Sequence, residues 1–266
     1  MANPDSVFVV KILCACSATA MICSPAILIR RIYKKKKVGV ASVIPLTTLF
    51  ANCHTWMLYG CMIKNWFPVF WIFLFGDGAA LVFLAVYWAY SPQRCYVIRV
   101  LAVTSAILLA LSVYAVIGGL GYTRQSRSSV GSIMGIMADL SAVCQYGAPM
   151  EKLLQVLKFR SAVFINAHMV MASLVNNCMW FTYGILTGNW FIISPNVLFI
   201  TLNAFTLGLY AVFNPKTHPL PDDFPLDHSE RASASLQLTP KCSLHSDAHG
   251  TPRSPVFETI RSPLEK

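Results

Sequence analysis

Charge is scarce in this chain: Asp, Glu, Lys and Arg together make up 12% of its 266 residues, while apolar side chains make up 56%. With a mean hydropathy of +0.57, the composition excludes a water-soluble fold, which has no means of hiding so much apolar surface. Alternation with a period of two is also missing. The apolar runs are about twice the length of a barrel strand, so a β-barrel is excluded and helices must satisfy the backbone in lipid. None of the nine cysteines forms a C-x-x-C pair. Six of them, Cys14, Cys16, Cys23, Cys53, Cys144 and Cys178, fall in apolar runs and read as polarisable packing residues rather than metal ligands or disulfides. No metal or cofactor is expected. Nothing basic precedes the first apolar run, so that run is expected to serve as its own insertion signal without cleavage.

What the chain has in abundance is long apolar runs, at about 7–29, 39–63, 67–90, 98–120, 130–151, 163–187 and 190–213. Each is near the roughly 20 residues that a bilayer core requires. The fold class is therefore an all-α membrane protein with seven transmembrane helices. The formal charge of +10 resides in short loops rather than on one soluble face, which argues against nucleic acid as a partner and for membrane lipid. Arg30, Arg31, Lys34, Lys35, Lys36 and Lys37 lie between the first two spans, and Arg94, Arg99, Lys152, Lys158 and Arg160 lie on the same side. The opposite loops carry Lys64, Arg124 and Arg127. The positive-inside rule then places the N-terminus outside and the C-terminus in the cytosol, while Lys11 snorkels toward the headgroups.

Sliding the sequence along itself by 124 positions exposes a duplication. Pro25 falls on Pro149, Asn52 on Asn176, Trp56 on Trp180, Tyr59 on Tyr183, Gly60 on Gly184, and Asn65-Trp66-Phe67 on Asn189-Trp190-Phe191. The offset contains four spans, an even number, so the two copies face the same way and span four is an unpaired linker. The expected organisation is a first three-helix repeat over 7–90, a linker helix over 98–120 and a second three-helix repeat over 130–213, a 3+1+3 plan. From Asn214 onward the chain turns Pro-, Ser- and charge-rich, and 214–266 is expected to be a disordered cytosolic tail. Within it Thr239, Thr251, Ser254 and Ser262 each precede a proline and are candidate phosphorylation sites.

Carriers built from repeats bind their solute near the midplane, between the copies. Trp56 and Trp180 are the first candidates: two indoles can sandwich a flat apolar ring face while their N–H groups reach hydroxyls. The alternative is an interfacial aromatic belt, a reading that suits Trp66, Trp71 and Trp190 better. Asn196, after Pro195, can donate to and accept from a hydroxylated solute, or can bond between helices. Asn52 and Asn176 are the paired amides of spans two and six. Asp77 and Asp139 are carboxylates within spans, candidates for proton binding or solute contact, with structural hydrogen bonding as the alternative. Pro25, Pro45 and Pro149 are expected to interrupt spans one, two and five and to permit bending. His54 and His168 read as packed histidines. No Ser/His or His/Asp set has plausible catalytic spacing, so an enzyme is not expected.

Seven spans split 3+1+3, Ser24-Pro25 late in span one, W-x-x-Y-G in spans two and six, and Pro195-Asn196 in span seven together resemble the SWEET sugar facilitators over about residues 7–213. The resemblance implies passive, bidirectional transport of mono- or disaccharides by alternating access, without ion coupling and often as oligomers. It also implies sugar contact at Trp56, Trp180 and Asn196, an outer gate at Tyr59 and Asn189 with Tyr183 as the repeat counterpart, and hinges at Pro25, Pro45 and Pro149. The sequence departs from that pattern at three places. The family's span-three asparagine falls at Phe75, its fourth hinge proline falls near Asn166, and the usual gate aspartate is Asn189.

Two other classes stay open at this point. One is a proton-coupled amino-acid or organic-solute carrier of the PQ-loop kind, motivated by Asp77 and Asp139; the other is a seven-helix receptor, against which the duplication argues. The charge bias generates a direct expectation. An epitope fused after Lys266 should bind antibody only in permeabilised cells, and binding in intact cells would invert the topology.

Overall fold

The seven apolar runs become nine α-helices among the described residues of the computed structural model, because two of the runs are broken. Residues 4–39, 41–214 and 217 are described, so the tail expected beyond Asn214 and its four candidate phosphorylation sites lie outside them. Span one consists of α1 (Pro4–Cys23) and α2 (Ala26–Lys35), separated at Ser24-Pro25. Span five consists of α6 (Arg127–Gln145) and α7 (Gly147–Phe159), separated at Tyr146. The other spans are α3 (Ile44–Met62), α4 (Trp71–Tyr90), α5 (Arg94–Gly119), α8 (Ala167–Thr187) and α9 (Trp190–Val212), with a π-helical turn, Trp66–Phe70, leading into α4.

The prolines explain part of this punctuation. Pro25 stands immediately before α2, and Pro149 lies in the first turn of α7, where a missing N–H has no intrahelical acceptor to disappoint. Pro45 is likewise in the first turn of α3. It starts a helix and does not interrupt span two, contrary to the expectation above. Asn166, at the place of the fourth hinge proline, instead accepts from Met169 N–H and caps α8.

Five stretches, 4–35, 66–90, 94–119, 167–187 and 190–212, are long and apolar enough to cross a membrane by length and composition alone. The remaining two spans carry more polar groups, among them Asn52, His54 and Thr55 in α3 and Asp139 in α6. The bundle meets several of these internally. His54 Nδ1 lies 3.0 Å from Asp77 Oδ2, and His54 Nε2 lies 2.8 Å from Ser112 Oγ. Ser112 Oγ also lies 2.8 Å from Leu108 O. The His54 ring thus gives the Asp77 carboxyl a polar partner at this depth. The array ties α3, α4 and the linker α5 together.

Packing repeats the duplication seen in the sequence. Within the repeats α3 packs on α4 and α8 on α9; between them α1 packs on α8 and α6 on α3, the same pairing after exchange of the copies. The paired glycines of the W-x-x-Y-G motifs sit at close approaches of the same kind in both copies. A Cβ on Gly60 would stand 2.9 Å from Phe70 N and from Val69 Cγ1, and one on Gly184 would stand 2.8 Å from Ile193 Cγ1.

The π-helical turn has a further effect on register. Between Asn65 and the fully buried Val69 lie four steps, whereas between Asn189 and the fully buried Ile192 lie three. Phe70 N–H bonds Asn65 O five residues back, across an extended Phe67, where Ile193 N–H bonds Asn189 O four residues back, so one residue is inserted and from α4 onward the first repeat corresponds to the second at an offset of 123. Gly76 then pairs with Phe199 and Ala80 with Asn203, all of them buried.

At the basic end of the bundle Lys36 Nζ donates to Tyr90 Oη at 2.8 Å and stands 3.9 Å above the Tyr33 ring centroid, linking the ends of α2 and α4. The Tyr90 hydroxyl holds the ammonium pKa above its ordinary value.

The glycine geometry makes a stability contrast. Gly184→Leu should overpack the α8–α9 contact and destabilise the protein by about 1–3 kcal/mol, while Gly78→Ala, whose Cβ meets nothing within 4 Å, should be neutral. Thermal unfolding of the detergent-solubilised variants checks this; equal melting temperatures would contradict it.

Candidate functional site

The two tryptophans of the repeat pair face each other across one ring. Trp56 on α3 and Trp180 on α8 are both buried, at 6% exposure, and Phe73 on α4 lies between them. Phe73 stacks on Trp56 with centroids 5.7 Å apart and planes 21° apart, and it lies 5.7 Å from Trp180 at 36°. Tyr59 meets Trp56 edge-on at 5.6 Å, and Tyr183 meets Trp180 in the same way at 5.9 Å. The result is a palindromic column, Tyr59–Trp56–Phe73–Trp180–Tyr183, that crosses between the repeats. Such offset and edge-on pairs are each worth about 0.5–1.5 kcal/mol beyond area burial.

Phe75 is not in this column. It is 49% exposed, and two residues along a helix turn the side chain about 200° away from Phe73. The one-residue shift from the π turn makes Phe73 the structural counterpart of Asn196. The 124-residue offset alone points to Ile72, one residue short, because it takes no account of the inserted residue.

The tyrosines at the ends of the column close one end of the bundle. Tyr59 Oη donates to Asn189 Oδ1 at 2.7 Å, and Asn65 Nδ2 donates to Tyr183 Oη at 2.7 Å. These two bonds are exchanged by the repeat, and each joins one copy to the other. Asn189 also accepts from Ile192 N–H and so caps α9. Asn65 was not among the expected gate residues, although the offset pairs it with Asn189 as directly as it pairs Tyr59 with Tyr183. Arg127, at the start of α6, donates to the last carbonyls of α3, those of Met62 and Cys61, at 3.0 Å each. Beyond the closed end lies an open cavity of about 510 Å³ lined by Lys11, Lys64, Asn65, Trp66, Tyr183, Thr187 and Asn189, among others.

The amides are engaged unequally. Ser141 Oγ lies 2.7 Å from Ala138 O and 3.2 Å from Asn52 Oδ1, and Thr55 Oγ1 lies 2.7 Å from the same hydroxyl. Ser17, its counterpart by the offset, bonds back in the same way to Cys14 O but makes no bond to Asn176 among the described residues. Asn176 Oδ1 is therefore buried with no partner among the described residues. A buried orphan acceptor costs about 1–3 kcal/mol, and a hydroxyl-bearing ligand can supply the missing donor. Asn196 is 8% exposed and donates to Ile192 O at 2.7 Å, one turn back, beside Pro195. Asp139 Oδ2 accepts from Ser194 Oγ at 3.1 Å, while its Oδ1 is buried without a partner among the described residues. Asp77 Oδ2 is paired with His54, while its Oδ1, like that of Asp139, is buried without a partner among the described residues; His168 is exposed.

Comparison with known proteins gives a consistent result. The family model described as "Sugar efflux transporter for intercellular exchange" matches residues 8–95 and 132–218, one match to each three-span unit. Among similar proteins, "Sugar transporter SWEET1" of Drosophila pseudoobscura pseudoobscura is 26% identical over 73% of this chain and 84% of that protein. "Bidirectional sugar transporter SWEET4" of Oryza sativa subsp. indica is 28% identical over 83% of this chain and 85% of that protein. The solved structure of a eukaryotic SWEET transporter superposes with a TM-score of 0.67 at 20% identity, covering 78% of this chain and 96% of that one, which shows the same fold.

The cross-repeat bonds are open to a double-mutant cycle. Tyr59→Phe and Asn189→Leu should show a coupling of about 0.5–1.5 kcal/mol in thermal unfolding, whereas Tyr59→Phe and Asn65→Leu should be additive. Coupling of the same size in both pairs would contradict the pairing described.

Proposed function

The chain belongs to the sugar efflux transporter family, and on that footing we propose that it exchanges a hexose or sucrose in both directions by passive alternating access. The observation that carries this reading is the column of five rings between the repeats, bounded by the two exchanged Tyr–Asn bonds. It joins a candidate sugar site to a closed end in one continuous packing unit. Trp56 and Trp180 supply the stacking faces, and Asn176, Asn52 and Asn196 the amides. Phe73 occupies the space between the indoles that a pyranose ring would take, so sugar and Phe73 exclude each other there. Sugar entry then removes the bridging ring from both tryptophans and loosens the support of both gate tyrosines. Tyr59–Asn189 and Asn65–Tyr183 act as the gate, facing outside. Pro25 and Pro149, at or beside the breaks in spans one and five, act as hinges; Pro45 contributes by fixing the start of α3.

The same reading assigns residues 7–90 and 130–213 to the two moving repeats, 98–120 to the linker and 214–266 to a cytosolic tail. The basic end carrying Lys34 to Lys37 faces the cytosol, where anionic lipid attracts it, and the plasma membrane is the residence. Homo-oligomers fit the same reading.

One observation favours a second reading, a proton-coupled carrier: the partnerless buried oxygen of Asp139 is a place for a proton. Radiolabelled glucose counterflow in proteoliposomes at two pH values separates the two. The facilitator account expects exchange that is independent of pH, survives Asp139→Asn and falls at least about 10-fold in Trp56→Ala or Trp180→Ala, given the stacking and burial lost. Accumulation that follows an imposed pH gradient and disappears in Asp139→Asn would establish coupling instead.

A further inference from the structure

The break in span five is held by a cluster that has no equivalent in span one. Tyr146, the residue at the break, receives two amide donors on its hydroxyl: Asn177 Nδ2 from α8 and Asn203 Nδ2 from α9, both at 2.9 Å. Ser173 Oγ lies 2.8 Å away on α8. With both oxygen lone pairs occupied by the amides, the phenolic proton goes to Ser173. Asn203 Nδ2 also reaches Ser173 Oγ, at 3.2 Å. The Tyr146 ring lies flat on Phe199 of α9, with centroids 3.8 Å apart and planes 3° apart. Asn177 and Asn203 are each 6% exposed.

The corresponding positions of the first repeat are Ile22 for Tyr146, Leu49 for Ser173, Cys53 for Asn177, and, after the π turn, Gly76 for Phe199 and Ala80 for Asn203. These residues also pack together, since a Cβ on Gly76 would meet Cys53 Sγ and Ile22 Cδ1 within 3.0 Å. They offer dispersion contacts and, among the described residues, no side-chain hydrogen bond between helices. In hydrocarbon, interhelical hydrogen bonds fix helix rotation more firmly than apolar contacts do.

Rotation matters because of what else these helices carry. Asn177 and Trp180 are three residues apart on α8, and Asn196 and Asn203 are seven apart on α9, so each pair shares a helix face. Clamping Asn177 and Asn203 to one hydroxyl sets the angle at which Trp180 and Asn196 are presented. We propose that the Tyr146 hydroxyl is a positioning group for the sugar site: it holds spans six and seven as one preformed half-site, and the first repeat supplies the adaptable half. Tyr146 itself touches no sugar. The inference rests on the sugar-transport reading and adds to it the asymmetry between the halves.

Tyr146→Phe keeps the stack on Phe199 and removes only the hub. Counterflow should show the half-saturating hexose concentration raised about 10-fold, with the maximal exchange rate within about twofold of the unaltered protein, since a half-site that is no longer preorganised weakens binding. Asn203→Leu should act similarly, and the double variant should be no worse than about twofold beyond either single one, because both changes empty the same hub. Hydrogen exchange should become faster in α8 and α9 and stay unchanged in α3 and α4. An unchanged half-saturation in a transporting protein, a loss of maximal rate alone, or fully additive single effects would overturn the proposal. Absence of any sugar exchange by the unaltered protein would overturn the sugar reading and this half-site assignment with it.

Discussion

In hydrocarbon, helices gain nothing from hydrophobic burial against one another, so two three-helix units can be held together only by close packing and by hydrogen bonds that cross between them. This chain meets that constraint at the seam where α1 packs on α8 and α6 on α3. Tyr59–Asn189, Asn65–Tyr183, Ser141–Asn52 and the Arg127 contacts to the end of α3 all cross it. The aromatic column crosses it as well. Most of the polar residues that look expensive in the sequence are those that make the seam, and the His54–Asp77–Ser112 array does the same service for the linker helix.

The two copies are alike in path and unlike in how they are held. Phe73 stands where the second repeat has Asn196, Ser141 also reaches Asn52 while Ser17 makes no bond to Asn176 among the described residues, and Ile22 replaces the hydroxyl hub of Tyr146. A symmetric carrier has no reason to distribute polar groups in this way. A carrier that keeps one half-site rigid and lets the other close over the solute does, since the ordering cost is then met once, during folding, for the rigid half.

Much of this was legible before any coordinates. Apolar runs of bilayer length, the loop cations and the 124-residue offset gave the seven spans and the pairing of copies, because those signals depend on composition and spacing. Trp56, Trp180, Tyr59 and Asn189 followed from the repeat and from family resemblance, and the structure brings all four to one place. What escaped is what depends on backbone detail or on contacts between distant segments. The one-residue insertion after Asn65 moves the counterpart of Asn196 from Ile72, where the 124-residue offset puts it, to Phe73. Pro45 reads as a kink until its place in the first turn of α3 is seen. His54, Asp77 and Ser112 are too far apart in sequence to be recognised as a set, and Tyr146 has no counterpart in the first copy to draw attention to it.

The central claim is that a sugar and the Phe73 ring compete for the space between Trp56 and Trp180. A variant keeping only those two indoles, with Trp66, Trp71, Trp88 and Trp190 replaced by phenylalanine, allows tryptophan fluorescence to be followed during a glucose titration. A saturable change that is abolished by Trp180→Phe, and that half-saturates at lower glucose when Phe73 is replaced by alanine, is the result this account predicts. Saturable binding that is indifferent to Phe73, or no response in a protein that exchanges glucose, would contradict it.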